Sequence, residues 1–170
     1  PVLVDADHGY GNALNVMRTV EELASVGAAG CSIEDTSLPR AFGSSKEPTL
    51  TSVEEGVGRM RAAVTAARGS GIKIFGRTAA IAITDIDDAV RRLQAYEKAG
   101  VDALFVPYVK SKAQLDRIAA DVGLPLILGS PAAELVDLQY LASRRVRVCL
   151  RGHPGFSASV QALYDAARAT

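Results

Sequence analysis

The chain has 170 residues, of which 48% are hydrophobic and 5% aromatic, and its 19 basic residues balance its 19 acidic residues. This length suits a single domain, 1–170, with a sizeable core, and the balanced charge argues against a nucleic-acid-binding surface. No segment has the length and apolarity of a membrane span, and no export leader is visible, so we expect a cytoplasmic protein without membrane or nucleic-acid partners. Cys31 and Cys149 are expected to be buried as small hydrophobic residues rather than to form a disulfide or a zinc site.

Short runs rich in Val, Ile and Leu alternate with segments of helical periodicity along the whole chain. The runs predict buried strands at 2–5, 29–34, 72–77, 102–107, 124–129 and 145–150. The segments that follow them predict helices at 12–26, 52–68, 85–99, 111–121, 132–142 and 155–168. Continuous apolar runs are typical of parallel strands that are buried on both faces.

Helix 85–99 illustrates the helical pattern. Its apolar stripe consists of Ile86, Val90, Leu93 and Tyr96. Arg91 and Arg92 are expected to face mostly water. Asp85 or Thr84 is expected to cap its start, and Gly100 to end it.

The alternation of strands and helices predicts parallel strands joined by crossover helices. The pattern alone leaves two architectures open, a doubly wound open sheet and a (β/α)₈ barrel. A barrel has eight units in about 250 residues, so six units would place about 60–80 further residues, or two units, before residue 1. The start at Pro1, without an initiating Met, agrees with this expectation.

Acidic side chains stand where the first two predicted strands end. In both architectures ligands bind at the carboxyl ends of the strands. Asp5 and Asp7 end the first strand and, two residues apart, are expected on one side of it, while Glu34 ends the next strand. Three such carboxylates would repel one another without a cation, and Mg²⁺ prefers oxygen ligands of this kind. Alternatively, Asp7 caps the following helix and Glu34 pairs with a surface arginine.

Three further strand-end features are candidates for a site. Arg77 ends the third strand and needs an anion, which a substrate carboxylate or Glu34 would supply; a purely structural ion pair is the alternative. The turn Gly9–Gly11 lets the backbone approach a ligand, although a tight strand-to-helix turn also explains it. His153 follows the last strand and could donate a proton or a hydrogen bond, or be an ordinary loop residue.

In combination, these motifs resemble the isocitrate lyase/phosphoenolpyruvate mutase superfamily across essentially the whole chain, most closely its bacterial oxaloacetate decarboxylase branch. The matching segments are Val4-Asp5-Ala6-Asp7-His8-Gly9-Tyr10-Gly11-Asn12, Ile33-Glu34-Asp35, Gly76-Arg77-Thr78 and Gly152-His153. The resemblance implies an α/β chain that holds about six units of a (β/α)₈ barrel. It also implies a homo-oligomer that exchanges its C-terminal helix between subunits.

The same resemblance implies a lyase that uses Mg²⁺, or Mn²⁺ in its place, to cleave a 2-oxo acid through an enolate, most specifically oxaloacetate to pyruvate and CO₂. By motif, Asp5 is the direct metal ligand, and Asp7 and Glu34 hold metal-bound waters. Arg77 and His153 meet the substrate, beside the backbone of Gly9, Tyr10 and Gly11. His153, Tyr10 or a water then returns a proton to the enolate.

Several departures from the family pattern bear on which reaction of the superfamily this chain supports. The segment 35–46 lacks the cysteine of the lyase branches, which disfavours a 2-methylisocitrate-type lyase. Arg40 replaces a lysine of the branches that act on phosphonopyruvate or carboxyphosphonoenolpyruvate, where a P–C bond is at issue. Ala79 stands where the family commonly has Asp or Asn, and the segment Leu128-Gly129-Ser130-Pro131 lacks the polar or aromatic residue expected of the decarboxylase branch. The remaining alternative is an inactive, truncated copy.

Overall fold

Six parallel strands form one curled sheet in the computed structural model, which describes residues 1–39, 42–43, 47–152 and 154–169. The strands are β1 (Leu3–Asp5), β2 (Gly30–Glu34), β3 (Lys73–Arg77), β4 (Ala103–Pro107), β5 (Leu126–Gly129) and β6 (Val146–Leu150). Each pairs in parallel with the next strand along the chain. The six predicted strands are therefore confirmed, each within two residues of its predicted bounds.

Helices connect successive strands. They are α1 (Ala13–Ser25), α2 (Val53–Ala66), α3 (Ala80–Ile83), α4 (Ile86–Ala99), α5 (Lys112–Asp121), α6 (Leu138–Ser143) and α7 (Pro154–Arg168). The predicted helix 132–142 is instead a 3₁₀ turn, Ala133–Leu135, followed by α6, because the Asp137 side chain accepts hydrogen bonds from the first amides of α6 and starts a new helix there. The four residues of α3 are too few to show a helical period, and sequence reasoning missed them. Among the described helices, none is long and apolar enough to cross a membrane.

The two faces of the sheet carry different layers. Leu104, Leu126 and Leu128 point toward the helices and belong to the main hydrophobic core. Phe105 and Ile127 alternate with them and form a second, smaller cluster on the opposite, concave face. One helical layer outside a curled parallel sheet is the arrangement of a (β/α)₈ barrel wall, so the barrel prediction is confirmed for six units, and the doubly wound sheet is excluded.

Two burial predictions are wrong. Arg92 of α4 is 6% exposed, because it finds buried acidic partners rather than water. Cys149 is exposed although it pairs in register with the buried Leu128, on the helix side of the sheet. Its exposure follows from α7, since no residue of that helix in the described part of the chain is buried against the sheet. Cys31 is buried, as predicted.

Candidate active site

The carboxyl ends of β1, β2 and β3 bring the predicted acidic and basic side chains to one face. Strand pairing places Glu34 beside Arg77 and Asp5 beside Ser32. Ser32 and Glu34 are two residues apart in one strand, so all four side chains leave the sheet on the same side. The parallel strands alone are sufficient to produce this convergence.

Arg77 is the centre of the cluster. Its Nη1 donates to Asp5 Oδ2 at 2.5 Å, and its Nε lies 2.9 Å from Glu34 Oε2. The guanidinium also stacks on Phe105, with Cζ 5.0 Å from the ring centroid. Arg77 therefore has anionic partners within the protein. One is Glu34, which was among the predicted alternatives, and the other is Asp5.

The surroundings of Glu34 disfavour the charged form of its carboxyl group. Burial raises the pKa of its carboxyl above the ordinary value of 4.5, more than the Arg77 guanidinium lowers it, and the charges of Asp5 and Asp7 raise it further. Three acidic residues, Asp5, Asp7 and Glu34, lie near one arginine, and this composition favours binding of an additional cation.

The raised pKa of Glu34 predicts a pH-dependent stability difference for Glu34→Gln in the presence of a chelator. Below about pH 4.5 the carboxyl is protonated in both the folded and the unfolded chain, so the variant gains nothing there. As the pH rises toward the folded-state pKa, the unfolded chain ionises first and the wild type loses stability that the variant keeps. Urea unfolding from pH 4 to pH 8 measures this, and a free-energy difference that stays constant across that range contradicts it.

A cavity of about 500 Å³ opens on the concave face of the sheet, beside Arg77. Its lining residues include Asp5, Ser32, Phe75, Arg77, Phe105, Tyr108, Ile127, Ser130, Val148 and Arg151. Sequence reasoning missed Tyr108, Ser130 and Arg151 as candidates. Tyr108 and Ser130 directly follow β4 and β5 and have positive φ angles of 68° and 47°. Their position immediately after predicted strands was the signal that could have identified them.

Asp7 lies near the cluster but outside its ion pairs. The strand ends at Asp5, and Asp7 has a φ of 45°, so the alternation expected of an extended strand does not apply to it. Its amide donates to Asp5 Oδ1 at 3.2 Å, and its carbonyl accepts from the Glu34 amide at 2.7 Å. The alternative role as a helix cap is excluded, because Asn12 caps α1. Asp7 thus joins the ends of β1 and β2 through its backbone.

The turn Gly9–Gly11 is explained by its contact with α1. A Cβ on Gly9 would lie 2.4 Å from Val16 Cγ2, and a Cβ on Gly11 would lie 2.4 Å from Asn15 Oδ1. Both residues also have positive φ angles, which favour glycine. The contact with α1 therefore explains why both positions are glycine, and the contact of Gly9, Tyr10 and Gly11 with a substrate stays a prediction.

Tyr10 is exposed, and its ring meets that of His8 edge to face. Burial, followed by the charges of Asp7 and Asp5, raises the pKa of the Tyr10 hydroxyl. Tyr10 therefore carries its proton at neutral pH. His8 is buried, and neither of its ring nitrogens has a hydrogen-bond partner within the described ranges. His153, the other predicted proton donor, lies outside the described residues.

Asp5 and Glu34 share one cation in this structure, the Arg77 guanidinium. In the part of the chain that the structure describes, no group of three or more His, Cys, Asp and Glu side chains is close enough to hold a metal ion. Mg²⁺ commonly uses only one or two carboxylates and completes its shell with water and substrate oxygens. The acidic strand ends therefore fit Mg²⁺ through one direct carboxylate rather than through a closed protein cage.

Comparison with known proteins identifies the family of this chain. The family model described as phosphoenolpyruvate phosphomutase matches residues 1–170. An oxaloacetate decarboxylase of Bradyrhizobium sp. (strain ORS 278) is 54% identical over 169 residues, 99% of this chain and 58% of that protein. One from Rhodopseudomonas palustris (strain ATCC BAA-98 / CGA009) is 56% identical over 164 residues, 96% of this chain and 57% of that protein. The chain thus spans somewhat more than half the length of these relatives.

Solved structures of the same superfamily superpose on nearly the whole chain. A 2,3-dimethylmalate lyase, a PEP mutase/isocitrate lyase superfamily member, has a TM-score of 0.88 and 28% identity, covering 99% of this chain and 58% of its own. A phosphonopyruvate hydrolase in complex with oxalate and Mg²⁺ has a TM-score of 0.82 and 28% identity, covering 97% of this chain and 58% of its own. The resemblance read from the motifs is confirmed at the level of the superfamily.

Proposed function

The chain belongs to the phosphoenolpyruvate phosphomutase family, and from that membership we propose that it supplies the acidic rim of a Mg²⁺-dependent lyase that decarboxylates oxaloacetate to pyruvate and CO₂. The observation that carries the proposal is the Arg77 guanidinium, held between Asp5 and Glu34 at the edge of a cavity with aromatic and aliphatic walls. Relatives that are more than half identical carry the name oxaloacetate decarboxylase.

We assign Asp5 as the direct ligand of Mg²⁺, with Asp7 and Glu34 holding waters of its shell. Support comes from the shared contact of Asp5 and Glu34 with one cation, the Arg77 guanidinium, and from the backbone of Asp7, which is hydrogen-bonded to both residues. When bound, the ion would act as a Lewis acid toward the 2-oxo group of the substrate. Mn²⁺ prefers similar oxygen ligands and would replace it.

Arg77 stabilises the negative charge that develops during the reaction. The bond between C3 and C4 of oxaloacetate breaks, C4 leaves as CO₂, and the electron pair remains in the enolate of pyruvate. A guanidinium already fixed by Asp5 and Glu34 needs little reorganisation to stabilise that charge. The enolate carbon then takes a proton, for which Tyr10, His153 and water are the candidates. The buried ring of Phe105 packs against the guanidinium and helps to fix its orientation.

Side-by-side turnover assays of the intact protein test this function. With Mg²⁺ present, we expect kcat/KM for oxaloacetate to exceed that for phosphonopyruvate and for 2-methylisocitrate by about 100-fold or more. Because Mg²⁺ itself accelerates the loss of CO₂ from oxaloacetate, a protein-free blank at the same ion concentration is the reference. Faster turnover of phosphonopyruvate overturns the assignment in favour of P–C bond chemistry, and no turnover of any of the three favours an inactive copy.

The proposal includes a homo-oligomer in which α7 packs on a neighbouring copy. In support, α7 contributes no buried residue in the described part of the chain and exposes Phe156, Val160, Leu163 and Tyr164. Apolar side chains spaced along one helix in this way usually pack against a partner. Light scattering of the intact protein would give a mass of more than one chain.

A further inference from the structure

A buried polar cluster lies directly behind the candidate site. Asp35 follows Glu34, and its Oδ2 accepts a hydrogen bond from the Tyr96 hydroxyl at 2.6 Å and another from Arg92 Nη1 at 3.0 Å. Asp35 and Tyr96 are fully buried, and Arg92 is 6% exposed. Asp35 thus faces helix α4, whereas Glu34 faces the site and Arg77.

The Tyr96 ring also contacts the strand that carries Arg77. A Cβ on Gly76, the residue before Arg77, would lie 3.0 Å from Tyr96 Cβ, and one on Gly56 of α2 would lie 2.5 Å from the Tyr96 hydroxyl oxygen. Tyr96 therefore packs between Gly56 and Gly76, and a larger residue at either position would clash with it. Through Asp35 and Gly76 it touches the residue next to each partner of the Glu34–Arg77 ion pair.

Arg92 joins the two ends of the connection between β2 and α2. Besides Asp35, its Nη1 donates to the Thr51 carbonyl at 3.0 Å. The Thr51 amide and hydroxyl both donate back to the Asp35 carbonyl, at 2.8 Å and 3.1 Å. Asp88 holds the other edge of the guanidinium, accepting from Arg92 Nε at 2.9 Å. Residues 35 and 51 are thus fixed together by side chains of one helix, α4.

A buried ion pair of this kind contributes little net stability, because desolvation of both charges offsets their attraction. Asp35 Oδ1 moreover has no hydrogen-bond partner among the described residues, which adds a cost. Apolar side chains of similar volume would fill the same space at lower cost. The arrangement does, however, contact Asp35, the residue after Glu34, and Gly76, the residue before Arg77.

We propose that Asp35, Arg92 and Tyr96 are positioning residues that hold the ends of β2 and β3 in the geometry that the Glu34–Arg77 pair requires. The proposal deepens the proposed function and rests on it for its activity readout. None of the three residues lines the cavity, so their effect on turnover passes through Glu34 and Arg77.

Two conservative variants of the intact protein test this role. Tyr96→Phe removes one hydrogen bond to Asp35 and keeps the ring, and Arg92→Lys keeps the charge but not the planar fork. Arg91→Lys on the same helix is the matched control, because Arg91 is exposed and pairs only with Asp88 among the described residues. Turnover, thermal unfolding and amide hydrogen exchange are measured for each protein.

We expect Tyr96→Phe to lower kcat for oxaloacetate about tenfold with little change in KM, the effect of one hydrogen bond to a charged group. Amide exchange should accelerate at residues 35–37 and 49–51, whose backbones are hydrogen-bonded to each other, but not in α5, and Arg91→Lys should match the wild type. Unchanged kcat and exchange in a folded Tyr96→Phe protein overturn the proposal, as does acceleration spread evenly over the chain. If Arg92→Lys does not fold, Tyr96→Phe decides alone. If the wild type lacks turnover, the proposed function fails, and local exchange at residues 35–37 and 49–51 decides the positioning role.

Discussion

Replacing Asp5 with Asn should lower kcat/KM for oxaloacetate at least about 1000-fold, the largest effect expected of any single substitution in this chain. The change keeps the shape of the side chain and removes its charge. An amide oxygen is a much weaker ligand for Mg²⁺ than a carboxylate, and the Asp5 carboxylate also binds Arg77, at 2.5 Å. Both the ion and the guanidinium therefore lose a partner.

A readout independent of turnover separates these two losses. Added Mg²⁺ should raise the unfolding temperature of the wild type and leave that of Asp5→Asn unchanged, since a ligand stabilises only the state that binds it. Asp87→Asn serves as the control, because Asp87 is on the surface of α4 and pairs with the exposed Arg117. A near-normal rate in Asp5→Asn, or an undiminished response to Mg²⁺, would refute the assignment of Asp5 as the ligand.

Arg77→Lys is expected to lower kcat about 100- to 1000-fold, the usual result of removing one preorganised donor from a developing charge. Lysine keeps a positive charge at this position. A single ammonium group, however, does not reproduce the planar fork through which Arg77 contacts Asp5 and Glu34 while stacking on Phe105. The geometry of the guanidinium, and not its charge alone, is thus the quantity under test.

The matched control is Arg117→Lys, an exposed arginine that also pairs with acidic side chains. Steady-state kinetics with oxaloacetate measure both variants, and circular dichroism verifies that each is folded. A kcat of Arg77→Lys within threefold of the wild type would show that a point charge is sufficient, and the role proposed for the guanidinium would be wrong.

The parts of the site that sequence could predict are those set by strand polarity. Asp5, Glu34 and Arg77 each end a run of apolar residues, and parallel strands end at one rim, so their convergence required no knowledge of distant contacts. Asp7 was harder, because a positive φ in the first turn after β1 cancels the alternation on which the prediction depended. The sequence contains no signal that fixes such a backbone angle for a residue other than glycine.

The prediction that Arg92 faces water is wrong for a reason that sequence periodicity does not contain. Helical periodicity places it next to charged neighbours, and that local pattern is typical of a water-facing side chain. Its partner Asp35 lies 57 residues away in the sequence, and only the packing of α4 against the end of β2 brings the two together. Sequence periodicity describes which side of one helix is apolar, whereas burial of a charge depends on what another element offers to it.

The order of the strands has a consequence for biosynthesis. Each strand of the sheet pairs with its immediate neighbours along the chain, so none of these pairings requires a strand beyond the next one to be synthesised. A nascent polypeptide can add these strands one at a time as it leaves the ribosome. Asp5, Glu34 and Arg77 lie at the ends of β1, β2 and β3, so their grouping can form before β4, β5 and β6 have been translated.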